Sequence, residues 1–319
     1  MARRSFIVVV LLLASLAGCG GGEEEGGGRP TVSVALDFTP NAVHAPIYAA
    51  VLGHLDERQG IRLRIRPPGD RPDSLKLVTA GRADLAVMDI HDLALARERG
   101  VDAVAVGALV QRPLGALLAQ PGVARPRDLE GKRIGVSGLP SDPAFVRAIV
   151  EHDGGDYSRV REITIGFSAV ASLIAGRVDA VPAFWNVEGE ILRRRGKRFS
   201  EFRVDRYGAP PYPEVVLVTT RRTLEARRHD IERAVAAIRA GAESAIADPG
   251  PVAREIARAS GGDDLALVRA QLAALRPVVS PPLRLDRHVL ERWADFDAGI
   301  GLVERRPDVA RAFDFALAR

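Results

Sequence analysis

A short phrase occurs twice in this chain, and its repetition limits the folds open to it. Ala80-Gly81-Arg82-Ala83-Asp84-Leu85-Ala86-Val87 closely parallels Ala175-Gly176-Arg177-Val178-Asp179-Ala180-Val181. Each copy follows a short apolar helical segment and leads into a short apolar strand, with the glycine supplying a left-handed helix cap. Met88-Asp89-Ile90-His91-Asp92 and Pro182-Ala183-Phe184-Trp185-Asn186 therefore fall at equivalent strand ends. Around the phrases strands and helices alternate, the signature of parallel-rich sheets flanked by helices. The pattern predicts a strand from Thr31 to Leu36, a helix from Tyr48 to Leu55 and a strand from Ile61 to Ile65. A helix from Ser74 to Thr79, a strand from Leu85 to Met88, a helix from Leu93 to Arg99 and a strand from Ala103 to Leu109 follow. A second start lies at Lys132-Arg133-Ile134-Gly135-Val136-Ser137-Gly138, with a polar loop through Ser141 and a helix from Ala144 to Glu151. The β-rich run from Glu214 to Thr220 returns the chain to where it began, and mostly helical sequence completes it. The expectation is an α/β protein of two related lobes, 31–112 plus 213–319 and 113–212. A double crossing of this kind makes a hinge beside an interlobe cleft.

The segment before Arg29 reads as an address. Arg3 and Arg4 precede an apolar run from Phe6 to Ala14, shorter than a membrane span and built like a secretory leader. Leu16-Ala17-Gly18-Cys19 resembles a bacterial lipobox, in which the cysteine is lipidated and becomes the first residue. This divides the start into a leader, 1–18, and a Gly/Glu tether, 19–28, whose ten or so residues span roughly 17 Å. Cys19 is the only cysteine, which excludes an internal disulfide or a thiolate metal site. Removal of Arg3 and Arg4 lowers the formal charge from +4 to +2, because no acid precedes Cys19. The balance of arginines and acids, without a basic block or aromatic stripe, gives no sign of nucleic-acid binding. Arg193-Arg194-Arg195 reads as a solvated helix end. No His-x-x-x-His or Cys-x-x-Cys spacing, nucleophile elbow or phosphate loop is present, so neither a metal nor a cofactor is expected.

Binding residues are expected at the carboxyl ends of the strands, where open α/β sheets hold ligands. After the first strand come Asp37, Phe38, Asn41, His44 and Tyr48. Asp37 either holds a donor group of a ligand or caps the turn before Pro40, and Asn41 shapes that turn. His44 and Tyr48 lie four apart on one helix face: if it looks into the cleft both touch ligand, and if it packs on the sheet Tyr48 is core and only His44 is left as a contact. Asp89 and His91 follow the strand that ends the first phrase, facing either ligand or solvent. In the second lobe Ser137 and Ser141 occupy the polar loop. Phe184, Trp185, Asn186 and Glu188 gather at a strand-to-helix junction, where an indole can stack on a flat heterocycle, a contact worth roughly 1–3 kcal/mol in nucleic-acid systems. Asn186 donates and accepts, and Glu188 accepts from an exocyclic amino group; the bland alternative makes Phe184 and Trp185 core. Tyr212, among Pro210, Pro211 and Pro213, either walls the cleft or stiffens a hinge, and Trp293 reads as packing.

The run Leu36-Asp37-Phe38-Thr39-Pro40-Asn41-Ala42-Val43-His44-Ala45-Pro46-Ile47-Tyr48 resembles the opening of the substrate-binding proteins related to Thi5 and ThiY (the NMT1/THI5 family). Phe184-Trp185-Asn186-Val187-Glu188-Gly189 is similar to the Trp-Asn-aromatic-Glu-Gly segment of that family, with Val187 where an aromatic can stand. The resemblance implies a two-lobed periplasmic-binding-protein type II fold and a monomeric lipoprotein of an ABC importer. Such a protein captures a small planar heterocycle, here a thiamin-pyrimidine precursor of the formylaminopyrimidine kind, and delivers it to a permease partnered with an ATPase. Riboflavin or a sulfonate is the alternative solute. Placement would be in the cell envelope, on the outer face of the cytoplasmic membrane or in the periplasm, touching lipid through the anchor alone. Fungal relatives are pyrimidine synthases marked by a cysteine-rich motif, which this chain lacks.

Overall fold

The computed structural model describes residues 28–69, 73–262 and 264–318. The leader, Cys19 and the tether up to residue 27 lie outside the described residues. The strands are β1 (Thr31–Ala35), β2 (Arg62–Arg66), β3 (Leu85–Asp89), β4 (Ala103–Ala108) and β5 (Gly115–Ala119), then β6 (Arg133–Val136), β7 (Arg161–Thr164), β8 (Ala180–Phe184), β9 (Ser200–Arg203) and β10 (Val215–Thr220). They form two sheets, ordered β2-β1-β3-β10-β4 and β7-β6-β8-β5-β9. The two orders are the same pattern. Each sheet has a parallel trio at one side and one antiparallel strand inserted before the far edge. The inserted strand is the one that has just crossed from the other sheet, β10 in the first and β5 in the second. In each sheet four of the five strands thus run the same way and one runs against them, because each crossing enters its new sheet against the direction of its neighbours.

The repeated phrase does the same work in both lobes. Gly81 and Gly176 end their helices, Ser74–Thr79 and Ala169–Ile174, at φ of 67° and 65°, backbone that favours glycine. Three residues on, each aspartate turns back to the first strand of its trio. The Asp84 carboxylate accepts from Ser33 N and Ser33 Oγ, both at 2.7 Å, and the Asp179 carboxylate accepts from Arg133 N at 2.9 Å. Each thereby ties the β3 or β8 entry to the neighbouring β1 or β6.

Helix Ala45–Leu52 begins three residues before the expected Tyr48. Asn41 caps a 3-10 turn, Ala42–His44, that runs straight into it, and Pro46 fits its first turn, where no amide donor is needed. Strands β7 and β9 were not legible in the sequence, since their mixture of charged and apolar residues lacks alternation. Buried apolar residues from the sheets and the flanking helices make up the core, including Val34, Leu85, Val106, Leu117, Val181 and Leu217. No helix among the described residues is long and apolar enough to cross a membrane.

The Ala45–Leu52 helix, which fixes the loop after β1, packs on the long helix Arg221–Ala247 at Gly241. A β-carbon on Gly241 would lie 2.1 Å from the Pro46 carbonyl oxygen and 2.7 Å from Ala50 N. Gly241→Ala should therefore cost about 1–3 kcal/mol of stability through overpacking, despite the roughly 1 kcal/mol gained in helix propensity. Urea denaturation measures this, and an unchanged or raised midpoint would contradict the close packing.

Candidate functional site

The carboxyl ends of the parallel strands in both sheets open on one cavity of about 460 Å³. The first lobe contributes Asp37, Phe38, Asn41 and His44 after β1, Ser74 to Lys76, and Met88, Asp89, His91 and Asp92 at the end of β3. The second contributes Ser137, Ser141 and Asp142 after β6, Phe167 after β7, and Phe184, Val187 and Glu188 after β8, while Glu214 stands at the return crossing.

At the first loop, Asn41 Oδ1 accepts from Val43 N at 2.9 Å. His44 Nδ1 accepts from Asn41 N at 3.2 Å, so the ring proton sits on Nε2 and is donated to Asp37 Oδ1 at 2.8 Å. His44 is fully buried and uses both nitrogens within the protein, whereas the Asp37 side chain is 23% exposed. His44 is thus the residue that orients, and Asp37 the one that meets the cavity. Tyr48 is buried in its helix and does not line the cavity, which is the core outcome of the two expected. Burial pushes its hydroxyl up to about 12.

Opposite, Asp142 accepts from Ser137 Oγ and Gly138 N, both at 2.9 Å, which closes the loop after β6. Across the cleft Asp92 of the first lobe lines the cavity, and burial pushes its carboxyl up to about 6. Phe38 and Phe167 also meet across the cleft, edge to face with ring centroids 4.4 Å apart, a favoured aromatic geometry. Glu188 accepts from Phe184 N at 3.0 Å, and burial pushes it up to about 7 against that hydrogen bond.

Where the crossings meet, His91 Nδ1 lies 2.7 Å from Asp297 Oδ1. Burial pulls the imidazole down, but the Asp297, Asp89 and Glu214 carboxylates overcome it and raise it to about 10. Asp89 and Glu214 are both raised by burial. Asp89 also caps the helix Ile90–Glu98 by accepting from His91 N at 2.7 Å.

Besides Tyr48, three expected contacts lie off the cavity. Trp185 is buried, donates its indole N–H to the Pro113 carbonyl at 3.3 Å and lies under the Arg203 guanidinium, 4.1 Å from ring centre to Cζ. Its faces are occupied by protein, and it offers no stacking surface to a ligand. Asn186 is fully buried beside it. Tyr212 is fully buried behind His91, with ring centroids 4.8 Å apart. Trp293 is core, as read, edge-on to Phe313. Cavity residues that the sequence reading passed over include Phe167, Asp142, Lys76 and Arg99. Phe167 follows β7, whose sequence does not read as a strand, so no local signal marked it.

A family model described as NMT1/THI5 like matches residues 41–251. The formylaminopyrimidine-binding protein of Halalkalibacterium halodurans is 34% identical over 198 residues, 61% of this chain and 60% of that protein. A 4-amino-5-hydroxymethyl-2-methylpyrimidine phosphate synthase of Uromyces fabae is 26% identical over 235 residues, 68% of this chain and 67% of that one. The chain spans about 60% of the length of the curated relatives most similar to it. Among solved structures, the alkanesulfonate-binding protein SsuA of Xanthomonas axonopodis pv. citri, bound to MOPS, superposes with a TM-score of 0.72 at 18% identity, covering 89% of this chain and 98% of that one. That likeness is one of fold, the two-lobed architecture of periplasmic binding proteins. With well over half of its length matched by the family model, the chain belongs to the NMT1/THI5-like family.

Proposed function

We propose that this protein is the solute-binding component of an ABC importer and that its solute is a thiamin-pyrimidine precursor of the formylaminopyrimidine kind. The observation that carries the reading is the charge of the cavity. Asp37, Asp73, Asp89, Asp92, Asp142, Glu188 and Glu214 line it, against Lys76, Arg99 and the His91 imidazole, which is raised to about 10. Such a lining offers acceptors to the N–H groups of an aminopyrimidine and repels a sulfonate, which needs donors and positive charge. The volume falls within the roughly 300–1,000 Å³ of small-molecule sites. Phe38, Phe167 and Phe184 supply the flat apolar surface that a heterocycle requires.

In this reading capture is the whole task. The solute draws the two lobes together because contacts from both are complete only in the closed form. The closed protein then meets a permease and its ATPase, held near the membrane by lipid on Cys19 and acting as a monomer outside the cytoplasm. The relative named for binding formylaminopyrimidine supports this over the synthases, which are less similar to this chain.

Calorimetric titration with formylaminopyrimidine, hydroxymethylpyrimidine, thiamin, riboflavin and an alkanesulfonate tests the assignment. One-to-one binding of a pyrimidine is expected, weakened about tenfold or more by Glu188→Gln, as befits loss of a charge-assisted hydrogen bond. Trp185→Phe should leave affinity within about threefold, because the indole faces protein rather than cavity. Sulfonate binding in place of pyrimidine, or turnover of a pyrimidine precursor, would reject the reading.

A pH series gives a separate check. Glu188 offers a charge-assisted acceptor to an amino group only when ionised, and burial pushes its carboxyl up to about 7. Pyrimidine affinity should therefore rise as pH passes upward through about 7, and the Glu188→Gln protein should lose that step. A profile identical in the two proteins would remove Glu188 from the contact.

A further inference from the structure

We infer that Asp89, His91 and Glu214 form a binding site for one divalent transition-metal ion where the two interlobe crossings meet. The three residues come from the end of β3, the first turn of the following helix and the residue before β10. Each presents one donor atom, and these atoms lie within 4.8 Å of one another. Metal bonds of about 2.0–2.2 Å place ligand atoms roughly 3–4 Å apart, so a modest inward turn of the side chains completes the site.

The surroundings of the cluster point the same way. His91 is held through Nδ1 by Asp297 at 2.7 Å. That is the outer carboxylate arrangement of metal-bound histidines, which fixes the ring and leaves Nε2 for the ion. Tyr212, fully buried with its ring edge-on to His91, has a hydroxyl without a hydrogen-bond partner among the described residues. The second oxygen of Asp297 is likewise buried and without a partner among the described residues.

Charge supplies the motive. Three carboxylates, Asp89, Glu214 and Asp297, surround one imidazole, and among the described residues no lysine or arginine forms an ion pair with any of them. The His91 imidazole and the Leu114 and Gly115 amides, which donate to Glu214 at 2.5 and 3.2 Å, offset part of this buried acidity, and a dication would offset the remainder. One imidazole and two carboxylates suit Zn²⁺, Mn²⁺ or Fe²⁺ better than a soft ion. All three ligands line the cavity, so a remaining coordination position would open toward it.

The site is tested on the full-length, chelator-stripped protein with no solute present, so the result does not depend on which solute the cavity takes. Zn²⁺ is titrated calorimetrically, and Co²⁺ is followed by its visible absorption. One ion per chain is expected, with a Co²⁺ spectrum of low-symmetry nitrogen and oxygen coordination. Asp89→Asn and Glu214→Gln should each weaken binding about tenfold or more, and Asp297→Asn should weaken it through the His91 ring. His229→Ala, on an exposed helix face, should change nothing. Absence of stoichiometric binding by the unsubstituted protein overturns the inference even if a variant fails to fold. Binding that survives all three cluster substitutions, or that is lost with His229→Ala, overturns it as well.

Discussion

The Glu214 carboxylate holds the two crossings of the chain together. Its Oε2 accepts from Leu114 N at 2.5 Å and from Gly115 N at 3.2 Å, joining the outgoing strand to the returning one. Backbone bonds from Ile90 N to Glu214 O and from Leu109 N to Val215 O extend the join on either side. With the crossings fixed side by side, β5 and β10 each enter the other lobe's sheet antiparallel, and the carboxyl ends of both parallel trios face one another. A buried carboxylate costs several kcal/mol when isolated, and amide donors offset that cost. The same residue lines the cavity, so the hinge and the binding surface share a group.

The cavity gathers groups that a packed core avoids. Burial raises Asp92 to about 6 and Glu188 to about 7, which means that their ionised forms are disfavoured where they stand. Such groups persist because the strand ends that carry them are fixed by independent contacts, among them the Asp84 and Asp179 ties. Strain of this kind favours any ligand whose N–H groups or positive charge complete the hydrogen bonding. The cross-cleft contact between Phe38 and Phe167 brings the lobes together around the same space. In the proposed reading, closure and solute contact draw on one set of residues.

Asp37 and His44 illustrate how a local motif prepares a site. Asn41 and His44 exchange hydrogen bonds around the first turn, which leaves the imidazole proton directed at Asp37. The carboxylate is then the only one of the three with appreciable exposure. A single loop of eight residues thus sets its own geometry, yet the sequence pointed to His44 as a contact, and only the structure shows the imidazole buried with both nitrogens used inside the loop. Trp185 is the opposite case. Its neighbours in sequence promise a stacking platform, but the ring is claimed by Pro113 and Arg203, which lie 72 residues before it and 18 after it.

Local chemistry let the sequence determine the alternation of strands and helices, the helix caps at Gly81 and Gly176, and the paired aspartates after them. Family membership and the two-lobed α/β class were legible for the same reason, since both rest on motifs that are contiguous in the chain. The cavity residues that follow directly on strands, Asp37, Asp89, Ser137, Phe184 and Glu188, were legible as well. Which side of a junction a ring turns to, and which distant residue meets it, only the tertiary structure decided. Glu214 reaches Leu114, His91 meets Asp297 and Phe38 meets Phe167 across separations of more than 90 residues, and no local periodicity encodes such meetings. They arise because the double crossing, once closed, leaves those side chains one buried place to go.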